Sequence, residues 1–120
     1  MTKLLVHITC GQDDPTRAAL GFLVAKTAQE EGHQVAVFLA GDGVNLIRDE
    51  ALDMVEGVGT GRLRDHFDAF AAGGGHVFLS GMSSKARGIG EDALEGKPAE
   101  MAMPNVLVKL VAESDNVVTY

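Results

Sequence analysis

Leu4-Leu5-Val6-His7-Ile8, followed by Thr9-Cys10-Gly11-Gln12-Asp13-Asp14-Pro15, is the stretch that decides the fold. A short and nearly continuous apolar run suits a strand buried on both faces, as in a parallel sheet covered by helices. Gly11-Gln12-Asp13-Asp14 breaks the run. Asp14 then offers a carboxylate to free helix amides, and Pro15 fits the first helical position. The spacing predicts a helix through Ala18, Leu20, Phe22, Leu23 and Ala25 to Glu31, stopped by Gly32. A buried strand, a tight loop and a capped helix form the first half of a βαβ unit.

The same rhythm repeats outward from this segment. Val35-Ala36-Val37-Phe38-Leu39 reads as a second buried strand, and Gly41-Asp42-Gly43 turns it into a short helix over Val44–Arg48. Asp49–Thr60 reads as part helix and part loop. Leu63–Ala72 reads as a helix stopped by Gly73-Gly74-Gly75. Val77-Phe78-Leu79 is a third strand, followed by a loop and a short helix carrying Ser83, Lys85 and Arg87. Gly88–Lys97 is polar and reads as exposed, a weak strand surrounds Met101, Pro104 opens a helix, and Val117-Val118-Thr119 is a closing strand. Alternation of this kind predicts an α/β fold with a mostly parallel sheet and helices on both faces. No repeat, low-complexity segment or linker divides residues 1–120, which are read as a single domain.

Composition narrows the function classes. The formal net charge is -7, which disfavours nucleic acid and anionic membrane surfaces as partners. Aromatic residues make up 5%, so the core rests on aliphatic side chains. No apolar run approaches the roughly 20 residues of a membrane-spanning helix. The opening residues read as a strand and not as a signal peptide. Cys10 is the only cysteine, so no disulfide forms within the chain, and a reducing, cytoplasmic setting is expected.

In open α/β sheets, ligands lie outside the carboxyl ends of the strands. That rule selects three loops: Cys10–Asp14, Gly41-Asp42-Gly43 and Ser80–Gly88. Cys10 precedes a helix N-terminus, which favours a thiolate, but Asp13 and Asp14 oppose ionisation. The two effects are of similar size and leave the sign of the shift open. A reactive thiol and a packing cysteine are both compatible with the position. The third loop, Ser80-Gly81-Met82-Ser83-Ser84-Lys85-Ala86-Arg87-Gly88, combines a glycine turn, serines and two cations, which suits a small anion. It equally suits a capped helix with solvated basic residues. Candidate ligand-binding residues are Asp42, Ser80, Gly81, Ser83, Lys85 and Arg87. His7, His33, His66 and His76 are scattered, and neither a metal nor a cofactor is expected. The glycine patterns at Gly41–Gly43 and Gly57–Gly61 lack the context of a dinucleotide fingerprint.

These segments in this order resemble the DsrE/DsrF-like family over nearly the whole chain. The resemblance rests on Gly11-x-Asp13-Asp14-Pro15-Thr16-Arg17-Ala18, Glu31-Gly32-His33-x-Val35-x-Val37-Phe38-Leu39, Gly41-Asp42-Gly43-Val44 and Val77-Phe78-Leu79-Ser80-Gly81-Met82-Ser83-Ser84-Lys85-Ala86-Arg87-Gly88. It implies a three-layer α/β/α domain with a five-stranded parallel sheet. It also implies assembly as a trimer or hexamer, or with paralogues, and in some members sulfur carriage as a cysteine persulfide. In those members the sulfur-bearing cysteine lies in a loop stretch similar to Cys-Gly-x-Cys before Ala-Arg-Gly. The matching positions here are Ser80 and Ser83, and a hydroxyl cannot form a persulfide. The expectation is a sulfur-relay-type protein whose usual loop cysteine is serine, with Cys10 as the candidate catalytic thiol. The alternative is a non-catalytic subunit of a homo- or hetero-oligomer that binds a small anion or a partner protein.

Overall fold

The computed structural model describes residues 2–120. In chain order the elements are β1 Lys3–Ile8, α1 Pro15–Glu30, β2 Gln34–Leu39, α2 Asp49–Met54, β3 Glu56–Gly57, β4 Gly61–Arg62, α3 Leu63–Ala72, β5 His76–Ser80, α4 Gly81–Ala86, β6 Ala99–Ala102, α5 Pro104–Glu113 and β7 Asn116–Thr119. The main sheet has five strands in the order β6-β5-β2-β1-β7. All four pairings in it are parallel. The fold is therefore α/β with a five-stranded parallel sheet, as the alternation predicts.

The opening segment folds for the reasons its residues suggest. Asp14 Oδ1 accepts the Arg17 amide at 3.1 Å, Pro15 starts α1, and Gly32 takes φ 93° in the turn beyond it. Leu5, Val6 and Ile8 in β1 are buried, as are Ala18, Phe22 and Ala25 in α1. Such burial is the main source of stability in a sheet-and-helix layer.

The two sheet faces are unequal. Val6, Ile8, Val37, Leu39, Val77 and Leu79 point into the larger core, which also takes in Phe22, Phe67 and Phe70. Phe22 meets Phe67 and Phe70 edge-on at 5.7 and 6.4 Å, locking α1 to α3. The opposite face carries Leu5, Ala36, Phe38, Phe78 and Ala102, and its helical cover comes from Val106, Leu107 and Leu110 of α5. No residue of α5 is fully buried. Helices lie on both faces, but a single half-buried helix serves the second one.

Three local readings are corrected. The turn after β2 is a 3-10 helix over Gly41–Ile47, beginning at the glycine turn itself. Asp49–Thr60 becomes α2 plus the start of an antiparallel hairpin, β3–β4, whose strands are too short to show a periodicity. The Gly88–Lys97 stretch is mostly exposed, yet Ile89 and Leu94 are buried in the larger core. Two apolar anchors in a polar stretch hold that excursion against the domain.

Candidate functional site

The carboxyl ends of β1, β2 and β5 bring the three predicted loops to one edge. The Cys10–Gly11 segment and the Asp42–Gly43 segment cross so closely that neither glycine tolerates a Cβ. At Gly11 it would collide with the Asp42 carbonyl, and at Gly43 with the Ile8 carbonyl. This crossing leaves the crevice between β1 and β2 filled by backbone.

Ser80 caps α4, its hydroxyl accepting the Ser83 amide at 3.1 Å. Ser83 in turn accepts the Gly41 amide at 2.9 Å, so the loop after β5 is bonded to the loop after β2. Gly81 opens α4 beside the Met103 sulfur. Lys85 is exposed to solvent.

Arg87 and Asp42 meet across the same gap. The Arg87 Nε and Nη2 groups both donate to Asp42 Oδ1, at 3.1 and 2.9 Å. Arg87 Nη1 donates to the Ser83 carbonyl at 3.1 Å. Arg48 Nη2 donates to the Arg87 carbonyl at 3.0 Å, which ties the end of α4 to the segment before α2. The serines and Arg87 thus lie together as one bonded cluster with Asp42, and much of its polar capacity is spent internally. The pairing of Asp42 with Arg87 spans 45 residues, and only their opposite charges on two edge loops hint at it in the sequence. Arg48 was not among the sequence candidates, since nothing local marks it as a partner of the α4 terminus.

Cys10 is half-buried and packs against the larger core. The structure signs the shift that the sequence leaves open: burial pushes the thiol up, and Asp14 and Asp13 push it further. A group held protonated in this way is a poor nucleophile near neutral pH. Asp13 also accepts the Gly11 amide at 2.9 Å, which fixes one of the opposing carboxylates beside the thiol. Among the described residues, no group of three or more His, Cys, Asp or Glu is placed to hold a metal ion. Among the described residues, no helix is long and apolar enough to cross a membrane.

Comparison with known proteins places this geometry among relatives. The model of the DsrE/DsrF-like family matches residues 2–120. An uncharacterized protein of Methanopyrus kandleri, MK0008, is 34% identical over 126 aligned positions, covering 100% of this chain and 93% of that protein. Among solved structures, the ychN protein from E. coli is similar with a TM-score of 0.74 at 19% identity, over 100% of both chains. MTH1491 from Methanobacterium thermoautotrophicum, a protein of unknown function, is similar with a TM-score of 0.75 at 17% identity, again over 100% of both chains.

Proposed function

The chain belongs to the DsrE/DsrF-like family, and from that membership we propose that it works as a self-associating binding subunit with no independent catalysis at its serine-bearing loop. The observation that carries this reading is the unequal cover of the sheet. Parallel sheets are stable when both faces are buried. Here the second face has one helix with no fully buried residue. Val117 on that face is 41% exposed and Val111 on α5 is 44% exposed. The occupant we assign is a second copy of the chain, in a closed homo-oligomer such as a trimer or hexamer. Light scattering after size exclusion tests it. A mass of several chains at micromolar concentration is expected, with Val111→Glu and Val117→Glu shifting the protein toward the monomer. A wild-type monomer at tens of micromolar would sink the reading.

A second reading is persulfide handling at Cys10 within a sulfur relay. The position of the one thiol at the carboxyl edge of β1, beside the Asp42 loop, favours it. The Cys10 thiolate would attack the outer sulfur of a donor persulfide, forming a new S–S bond and releasing the donor as a thiol, with no net redox change. A cytoplasmic, reducing setting suits such a thiol. Mass spectrometry after incubation with a persulfide donor tests it. One added sulfur on wild type and none on Cys10→Ser supports the reading, whereas equal labelling of both rejects it.

A further inference from the structure

We infer that Arg87 is an oxyanion-binding residue that Asp42 holds shut. The fork of Arg87 is already aimed: Nη1 is fixed by the Ser83 carbonyl at 3.1 Å, and Ser83 is fixed by the Gly41 amide at 2.9 Å. The Arg87 backbone is held by Arg48 through its carbonyl at 3.0 Å. The remaining edge of the guanidinium, Nε with Nη2, faces the loop after β2, and both nitrogens donate to the same oxygen, Asp42 Oδ1.

That arrangement is an incomplete use of the fork. Two parallel N–H groups match two oxygens of one anion, and the two-oxygen contact is the stronger one. A sulfate or phosphate replacing Asp42 would take both nitrogens with separate oxygens. The bond from Nη1 to the Ser83 carbonyl does not involve Asp42 and stays in place when the anion takes that edge.

The latch is weak enough to open. The Asp42 and Arg87 side chains are 55% and 31% exposed, and ion pairs at that exposure contribute little. The ligand class is a free inorganic oxyanion of tetrahedral shape. The inference is independent of association through the sheet face, which lies on other residues.

The test titrates sulfate and phosphate separately into the full chain at constant ionic strength, following the backbone amide resonances of Ser83 and Gly88 by NMR in every variant, and the Arg87 Nε–H resonance where arginine is present. Wild type, Asp42→Asn and Asp42→Asn/Arg87→Gln are compared, with Asp42→Ser as a second way of removing the carboxylate. Removing the competitor is expected to tighten binding about two- to fivefold, and the double variant is expected to lose it. Equal affinity in wild type and both Asp42 variants would overturn the inference, as would binding retained by the double variant. Acetate is the last arm: binding to Asp42→Asn as tight as that of sulfate would overturn the ligand class, and weaker binding supports it.

Discussion

Ser83 and Gly41 are joined across 42 residues of sequence, the Gly41 amide donating to the Ser83 hydroxyl at 2.9 Å. This serine is thereby a fastener between two edge loops. Ser83→Ala removes the acceptor and leaves a part-buried amide unpaired. The expected cost is about 1 kcal/mol, read as a fall in Tm of about 4 °C. A thermal melt unchanged within a degree or so would show that water satisfies Gly41 as well as the hydroxyl does.

Cys10 should alkylate slowly. With its thiol pushed above the ordinary range by burial, Asp14 and Asp13, the reactive thiolate is scarce at neutral pH. Iodoacetamide labelling is expected to lag behind a free cysteine at pH 7 and to accelerate as pH rises past the usual thiol range. Asp13→Asn/Asp14→Asn should speed the neutral-pH rate, since asparagine removes the charge and still caps a helix. Labelling at least as fast as free cysteine at pH 7 would contradict the assignment.

Asp49 sets part of the acid response. Hydrogen bonds from Lys97 and Arg64 hold its carboxyl below the ordinary 3.8. A carboxylate depressed by folding stabilises fully above the unfolded value and loses that effect as pH falls through the folded one. Asp49→Asn is therefore expected to melt lower than wild type at neutral pH, with the gap closing below pH 3.8. The same ion pair ties the Gly88–Lys97 excursion to α2, because Lys97 Nζ lies 3.2 Å from Asp49. A gap that stays constant down to strong acid would show that the charge of Asp49 is irrelevant to stability.

His66 reports on the small hairpin. Its Nε2 lies 2.7 Å from the Thr60 carbonyl, and a carbonyl only accepts, so Nε2 carries the proton. Its Nδ1 is buried without a partner. Nitrogen-15 NMR at pH 8 is expected to show the Nε2–H tautomer, and His66→Phe should loosen Thr60 and speed amide exchange across Gly57–Gly61. Observation of the Nδ1–H tautomer would contradict the bond.

Much of the frame is legible in the sequence because its signals are local. Apolar runs such as Val35–Leu39 carry their own burial, and Asp14-Pro15 carries its own helix start. Leu63–Ala72 is bounded by the residues predicted for it. The hairpin at Glu56–Arg62 is not legible, since two-residue strands have no period and depend on Thr16, whose hydroxyl accepts the Val58 amide at 3.0 Å. The three edge loops are legible as places, through the rule on strand ends. Their wiring is not, because whether Arg87 faces solvent or Asp42 depends on how close β2 and β5 bring two distant loops. The sign of the Cys10 shift also needed burial, a property of the fold and not of the neighbouring residues.

The pairing of β1 with β7 has a consequence for the nascent chain. Lys3 and Asp115 exchange bonds at one end of this seam, the Lys3 amide reaching the Asp115 carboxylate at 2.8 Å and the Asp115 amide reaching the Lys3 carbonyl at 2.9 Å. At the other end, the Thr9 amide reaches the Tyr120 carbonyl at 2.7 Å. β1 thus waits for a partner 112 residues further along the chain before one of its edges is closed. Until Asn116–Thr119 leaves the exit tunnel, β1 offers a free, apolar edge to other chains. A pause in synthesis between Glu113 and Thr119 would therefore leave that edge of β1 open after its other edge has gained β2.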